Sequence, residues 1–528
     1  MEIFVSSHSL AWRTWLSSYG FSYSENESNF NNIDIFIDPE YNLIKHLMSI
    51  DSRCVVVLSD ETLIKNLGIN DIVWKYHYLD KSSFETEKLY TPSSESFVIR
   101  CGKVGSIDFI TYRLKLNMCI NSSDYKAQFI EPFPDIRRSY ADVLNKFNKS
   151  KVFRFMYFII KNASVKLSKP LVYIWRFPSV YTNVFNLRID VDPERMRGNG
   201  EVHRRINKTL NKCLDFTDRV TIAFNFYKRP KSYIKNVLTT FSSLDLISHN
   251  YYHIHFPTKK HTRKNMLIAK NILQSSGINS KGFISPEYFW YPHVSKVIED
   301  LGYNYASSFG YDEMNYPYRP IVNNTIRKYF EIPSDPCVYS KYKQMFNNDK
   351  DILDAYKLSV RSGMKVVDLP CFKYEHPAVL GRENGIFEAI MHEVCSDHEN
   401  VLPITLTKFA SWLEFRENFI KNNTIIVEEG SIPKITQKSK QFLSLKGNPL
   451  SIAIEHFDSD NVELFPIESE NYKYIVKPSG KKIINKHSDK KYENNKFFQK
   501  TPMKDKLIHI YKHHKKLLQS YFLLSRIK

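Results

Sequence analysis

The sequence predicts an α/β protein whose central part is a parallel α/β barrel or sheet. Between about residues 180 and 420, short apolar runs typical of strands alternate with amphipathic stretches typical of helices, as in folds built from strand–helix–strand units. Acidic and imidazole residues follow two of these apolar runs, and active sites of parallel α/β folds gather where strands end. At 528 residues, of which 42% are hydrophobic, the chain is long enough for two or three domains.

Composition and periodicity divide the chain into five parts. The first part alternates short strands with helices, and because no glycine-rich phosphate loop follows a strand there, a nucleotide site has little support. The parts are an N-terminal α/β domain of unknown role (1–140), a helical connector (141–180), the parallel α/β segment (181–420), a β-rich appendage (421–475) and a basic, partly helical tail (476–528).

Most of the basic character lies at the C-terminus. The chain has a formal net charge of +19, and residues 471–528 contribute +13 of it, with 16 Lys and Arg against 3 Asp and Glu. An anionic membrane surface, nucleic acid or solvent alone fits such a tail. We favour peripheral contact of residues 476–528 with an anionic membrane over nucleic acid.

The cysteines and the N-terminus favour a cytoplasmic protein, peripheral to the inner face of the membrane if the tail binds there. Seven scattered Cys without a CxxC pair fit a reducing compartment better than a disulfide framework. The first 15 residues, MEIFVSSHSLAWRTW, lack the basic start and apolar core of a signal peptide.

The stretch "NLRIDVDPE" (186–194) has the period of a β-strand. On such a strand Asp190 and Asp192 point to the same side. Two carboxylates on one face at a strand end repel each other unless a cation lies between them. This pair therefore indicates a metal site or, as a plain structural alternative, a strand-end turn or salt bridge.

A second motif, "LISHNYYHIHF" (246–256), places His249 and His253 four residues apart after another apolar run. One helical turn or a tight loop puts both imidazoles on one side. An Asp with two His is a common ligand set for catalytic Zn²⁺ or a similar divalent transition metal, with one position left for water. One Asp would bind the ion, and the other would remain as a base beside the water.

These motifs resemble those of the polysaccharide deacetylases, the NodB-homology carbohydrate esterases, over about residues 183–420. The first two family motifs match "LRIDVD" and "SHNYYH", although the family usually has two adjacent Asp in the first. The later motifs match in order: "GFISPEYFWYP" (282–292), the Tyr/Ser/Phe loop "LGYNYASSFGYDEMNYPYRP" (301–320), and "VVDLPCFKYEHP" (366–377).

The resemblance implies a distorted (β/α)₇ barrel and metal-dependent hydrolysis of an N-acyl group, usually N-acetyl, on a sugar. Position by position, Asp190 matches the general base. Asp192, His249 and His253 match the metal ligands, and His376 matches the general acid. The split Asp motif leaves open which Asp is the base and which is the ligand.

The third motif departs from the family pattern. The family's Arg two residues before the motif's Pro is here Ile284, and we suggest that Arg188, from a neighbouring strand, substitutes for it. A backbone N–H near Glu287 would stabilise an oxyanion, and aromatic side chains fit sugar stacking or a core equally well. Beside Arg188, the predicted substrate-binding residues are Glu287, Tyr288, Trp290, Ser308 and Tyr311.

The function predicted from this resemblance is a carbohydrate N-deacetylase of bacterial surface-polysaccharide metabolism. Its substrate would be an N-acylated sugar, an oligosaccharide, or a lipid- or nucleotide-linked glycan. One alternative is an inactive glycan-binding or assembly protein on the same barrel, which Ile284 supports. A second alternative is a deformylase or another hydrolase of non-peptide C–N bonds.

Overall fold

A computed structural model of the chain gives the fold. Among the residues it describes, no helix is both long and apolar enough to cross a membrane. The described residues are 1–25, 32–50, 53–59, 75–78, 98–104, 106–112, 149–193, 199–254, 256–286, 292–307, 316–334, 348–365, 369–381, 385–396, 399–427, 431–438, 443–457, 459, 461–470, 473–478 and 481–484.

The N-terminal part contains a six-stranded sheet in the order β1-β2-β3-β6-β5-β4. Strands β1, β2, β3 and β6 are parallel, and β5 is antiparallel to both of its neighbours. The three-residue runs of β1 and β2 are apolar and fully buried, because a parallel strand is covered on both faces. The elements are β1 (Ile3–Val5), α1 (Leu10–Tyr19), β2 (Ile35–Ile37), α2 (Tyr41–Ser49), β3 (Val55–Leu58), β4 (Lys75–Tyr78), β5 (Val98–Val104) and β6 (Ile107–Tyr112).

A second sheet joins the connector to the C-terminal part of the chain. Strand β7 pairs with β20, so the predicted helical connector also contributes a strand. Gly20 ends α1 with φ of +105°, and a Cβ there would lie 2.0 Å from the carbonyl oxygen of Ile174, so this close contact with β7 requires glycine. The β-structure continues past residue 475, where the basic tail was predicted to begin. The elements are α3 (Lys149–Leu167), β7 (Leu171–Ile174), β20 (Leu450–Glu455), β21 (Asn461–Glu470), β22 (Lys473–Val476) and β23 (Lys481–Ile484), with β18 (Asn423–Ile426) and β19 (Lys434–Gln437) forming a separate antiparallel pair.

The central part is the predicted parallel α/β barrel, present as a curled sheet. Seven strands follow the order β15-β12-β11-β10-β9-β8-β16, and β17 pairs with the first residues of β8. Every one of these pairs is parallel, which confirms the fold class. The strands are β8 (Asn183–Val191), β9 (Val220–Phe224), β10 (Asp245–Ser248), β11 (Gly282–Phe283), β12 (Tyr305–Ala306), β15 (Phe330–Glu331), β16 (Cys371–Glu375) and β17 (Val401–Pro403), with β13 (Ile321–Val322) and β14 (Thr325–Ile326) forming a separate hairpin.

Strand β8 is buried along all nine residues. Its apolar side chains, such as Leu187 and Ile189, join the hydrophobic cluster of the surrounding helices. Arg188 and Asp190 alternate with them and bond to each other on the opposite face, so the polar alternation in the sequence marks the barrel interior. The helices are α4 (Asn199–Cys213), α5 (Lys231–Thr240), α6 (Lys259–Ser275), α7 (Pro292–Asp300), α8 (Asp349–Lys365), α9 (Pro377–Leu380), α10 (Ile386–Cys395) and α11 (Leu406–Asn422).

Candidate metal centre

Three predicted ligands meet at the carboxyl edge of the parallel sheet. Asp192 directly follows β8, and His249 directly follows β10. The Oδ1 atom of Asp192 lies 3.0 Å from Nε2 of His249 and 2.8 Å from Nε2 of His253. The two Nε2 atoms are 2.8 Å apart. One ligand atom from each residue therefore lies in a cluster within 4.8 Å, with dimensions that could hold a metal ion.

The orientation of His249 supports a ligand role. Its Nδ1 lies 3.1 Å from the carbonyl oxygen of Ile284, and because a carbonyl only accepts, Nδ1 carries the proton. The other ring nitrogen, Nε2, then faces Asp192 and His253. Metal-binding imidazoles are commonly held in this way, through a bond from the other ring nitrogen to an outer oxygen. One carboxylate oxygen and two imidazole nitrogens converge, and this donor set fits Zn²⁺ or another divalent transition metal.

Asp190, two residues before Asp192, forms a bidentate pair with Arg188. Arg188 donates from Nε and Nη2 to the two carboxylate oxygens, at 2.8 and 2.9 Å. Its Nη1 donates to both the carbonyl and the hydroxyl oxygen of Ser307, at 2.8 and 2.9 Å. The guanidinium also lies 5.0 Å from the ring centroid of Tyr374. These contacts fix the carboxylate of Asp190 in one orientation.

Arg188 lies on β8 itself, two residues before Asp190. The suggestion that it comes from a strand neighbouring the third motif is wrong, because β9 and β10 separate β8 from β11. Ile284 is fully buried. It contributes main-chain bonds, donating from N to Ser248 O at 2.8 Å and accepting from His249.

His376 directly follows β16 and contacts the second carboxylate oxygen of Asp192. Its Nε2 lies 3.3 Å from Oδ2 of Asp192. The side chains of His376 and Asp192 are 30% and 28% exposed, whereas those of Arg188 and Asp190 are 1% and 5% exposed. Asp192 and His376 are therefore open to a ligand from solvent, and the Arg188–Asp190 pair lies beneath them.

Charge compensation dominates the electrostatics. Burial alone would raise the pKa of Asp192, but the charge of His253 and the hydrogen bonds from His249, His253 and His376 hold that pKa well below its usual value. Burial alone would lower the pKa of His376, but the hydrogen bond to Asp192 and its charge raise that pKa to about 9. Positive charge thus gathers around the Asp192 carboxylate, and a divalent cation would supply the same compensation.

Several buried residues that shape the site were missed by the sequence analysis. Asn265 on α6 accepts from the N–H of Tyr252 at 2.7 Å and donates to the carbonyls of Tyr252 and Ile254. Asn250 adopts φ of +62°, a left-handed conformation that Asn tolerates. Asn side chains after a strand or in a helix are common, so their identity alone carried no signal. Asn225 and Arg229 are the other members of this group.

The predicted substrate-binding residues fall mostly outside the described part of the chain. Of that group, Arg188 lies in the described part of the chain and contacts Asp190. The others lie outside the described residues, and they are Glu287, Tyr288, Trp290, Ser308 and Tyr311.

The chain is similar in fold to several solved structures. A polysaccharide deacetylase from Mycobacterium smegmatis matches at 16% identity over 45% of this chain and 92% of its own, with a TM-score of 0.38. The Puue allantoinase matches at 16% identity over 44% and 91%, with a TM-score of 0.35. A CE4 family pseudoenzyme from Bacillus anthracis matches at 11% identity over 43% and 66%, with a TM-score of 0.27. These likenesses concern the fold alone.

Comparisons of sequence gave no match. No protein-family model matches the chain, and neither does a curated protein.

Proposed function

We propose that this chain is a metal-dependent hydrolase that removes an N-acyl group, in the first instance N-acetyl, from a sugar in bacterial surface-polysaccharide metabolism. One observation carries the proposal: an Asp/His/His cluster and a separate, oriented carboxylate lie together at the carboxyl edge of a parallel α/β sheet. The resemblance of five sequence motifs to polysaccharide deacetylases supports the choice of reaction. The substrate would be an N-acylated sugar, an oligosaccharide, or a lipid- or nucleotide-linked glycan.

The proposed site residues have two kinds of role: some bind the metal ion and others transfer protons. Asp192, His249 and His253 would hold the ion. A divalent ion in that position supplies a Lewis acid that polarises the amide carbonyl and lowers the pKa of water. Asp190 then accepts the proton of the attacking water, and His376 donates a proton to the leaving amine nitrogen.

Arg188 gives Asp190 a single orientation for that proton transfer. Both carboxylate oxygens accept from the guanidinium, and the bond to Ser307 fixes the guanidinium in turn. Charge-assisted bidentate pairs of this kind favour the ionised carboxylate and a defined geometry. This contact supports an active enzyme over an inactive glycan-binding protein, since the loss of Arg at position 284 was the main reason to consider inactivity.

The decisive experiment couples metal content to acyl release. We expect the purified protein to hold about one divalent ion per chain and to release acetate from N-acetylated glycans. We expect His249→Ala to lose both properties. His392→Ala, an exposed position on α10, serves as the matched control and should keep them.

Each rival predicts a different result. Metal binding without release of any acyl group would favour the glycan-binding alternative. Faster release of formate from N-formyl sugars than of acetate from N-acetyl sugars would favour the deformylase. Metal content and activity that do not depend on His249 would refute the proposed site itself.

A further inference from the structure

The turn that follows β9 touches both chain segments that carry the predicted metal ligands. Lys228 adopts φ of +61°, an uncommon left-handed conformation for a non-glycine residue. The turn brings Arg229 back over the end of the strand, where its Nε donates to Asn225 O at 3.0 Å. Asn225 is fully buried and Arg229 is 7% exposed.

On one side, the turn contacts the segment of Asp192. Arg229 donates from Nη2 to the carbonyl oxygen of Asp192 at 2.7 Å. The N–H of Asn225 donates to the carbonyl of Val191 at 3.2 Å. Both bonds go to main-chain oxygens, so they fix the position of the Asp192 backbone and leave its carboxylate free to face the imidazoles.

On the other side, the turn contacts the histidine loop. The side-chain amide of Asn225 donates to the carbonyls of His249 and Asn250, at 2.9 and 3.0 Å. The N–H of His249 donates to Phe224 O, at the end of the same strand, at 3.2 Å. Asp192 and His249 are 57 residues apart in the chain, and the Asn225–Arg229 turn is bonded to both.

We propose that Asn225 and Arg229 are positioning residues that set the spacing between Asp192 and His249 and thereby the affinity and geometry of the metal site. The inference rests on the proposed metal site and goes beyond the ligands themselves. Outer contacts that orient metal ligands contribute typically 10–100-fold to metal affinity.

The planar fork of Arg229, rather than its charge, is the property that this role requires. Its Nε and Nη2 donate in two fixed directions, to Asn225 and to Asp192. A lysine ammonium is a point donor on a flexible stem and does not reproduce that fork. The positive charge of Arg229 would by itself repel a divalent cation, so the charge cannot be what favours metal binding. Arg229→Lys therefore keeps the charge and removes the geometry.

The test compares Arg229→Lys with the unaltered protein in three measurements: Zn²⁺ affinity by chelator competition, the visible absorption of the Co²⁺-loaded protein, and thermal unfolding without metal. We expect Arg229→Lys to weaken Zn²⁺ binding by about 10–100-fold and to change the Co²⁺ spectrum, which reports ligand geometry. Arg361→Lys is the matched control, because Arg361 forms a similar fork with Glu393 between α8 and α10. It should leave Zn²⁺ affinity and the spectrum unchanged.

A second variant covers the case in which Arg229→Lys does not fold. Asn225→Ser removes the amide that bonds His249 and Asn250 and should weaken Zn²⁺ binding in the same range. Unchanged affinity and an unchanged Co²⁺ spectrum in a folded variant would overturn the role. Absence of metal binding in the unaltered protein would refute the metal site and this role together, whereas metal binding without hydrolysis would refute only the proposed activity.

Discussion

Two carboxylates at opposite edges of the same parallel sheet have opposite surroundings. Asp245 opens β10 at the amino edge and accepts from the Thr221 hydroxyl at 2.8 Å, the Thr407 hydroxyl at 2.6 Å and the Thr407 N–H at 3.2 Å. Asp192 follows β8 at the carboxyl edge and faces the imidazoles of His249, His253 and His376.

The difference distinguishes a carboxylate that the fold itself satisfies from the one we propose as a metal ligand. Burial raises the pKa of Asp245, and bonds from the threonines partly oppose that rise, so the fold itself satisfies this group with neutral donors. Around Asp192, the Nε2 atoms of His249 and His253 lie within 3.0 Å of the same carboxylate oxygen and 2.8 Å from each other. A cation between these three atoms would be favoured by the carboxylate charge. Carboxylates at the amino end of such a sheet serve stability, and those at the carboxyl end serve chemistry.

The largest effect should come from Asp192→Asn. An amide keeps the shape but loses the charge that binds a cation, so we expect Zn²⁺ affinity to fall by more than the roughly 100-fold that loss of an outer contact causes. Measured beside it, Asp245→Asn should bind Zn²⁺ as the unaltered protein does. If Asp192→Asn and Asp245→Asn lost Zn²⁺ affinity equally, the proposed difference in role between the carboxyl and amino edges of the sheet would be wrong.

Asp190→Asn should separate the base from the ligand. With Asp190 as the general base, kcat should fall by about 10²–10⁴-fold while the metal content stays unchanged. Steady-state kinetics on an N-acetylated glycan together with elemental analysis measure both quantities. If Asp190→Asn empties the site and Asp192→Asn does not, the two roles are reversed.

The fold class and the proximity of Asp192, His249 and His253 could be predicted because both follow from local sequence patterns. Period-two alternation predicted a strand in "NLRIDVDPE", and β8 ends at Val191. The same Asp-x-Asp pattern also occurs at Asp349 and Asp351, and there the context differs: both residues lie in the first turn of α8, where the side chain of Asn348 accepts from the N–H of Asp351. Acidic residues at a helix start are favoured by the helix dipole and need no metal.

The rest of the site depends on contacts distant in sequence. Arg188 reaches Ser307 across 119 residues, and Arg229 reaches Asp192 across 37. Such contacts depend on the order of the strands in the sheet, and a short sequence motif contains no information about that order. The same limit applies to Arg188: alternation along the strand puts it on the face of Asp190, but only the strand order shows that β9 and β10 separate it from the third motif.

The smallest effect should come from Thr407→Val at the amino edge. Valine has nearly the shape of threonine but removes the hydroxyl that donates to Asp245. A buried acceptor that loses a donor costs about 1–3 kcal/mol, so the free energy of unfolding measured in urea should fall by that amount. Zn²⁺ affinity should not change, since this bond lies at the opposite edge from the proposed metal ligands.

The pH dependence of the stability lost in Thr407→Val gives a second test of the role of this hydroxyl. The folded-state pKa of Asp245 is raised, so its contribution to stability is present at low pH and is lost as pH rises through that pKa. Removing the Thr407 hydroxyl raises the pKa of Asp245 further, because the folded protein with a charged Asp245 is destabilised more than the one with a neutral Asp245. The stability difference between Thr407→Val and the unaltered protein should therefore be larger at pH 7 than near pH 4. A difference that grows toward low pH would show that the carboxylate of Asp245 does not depend on this hydroxyl.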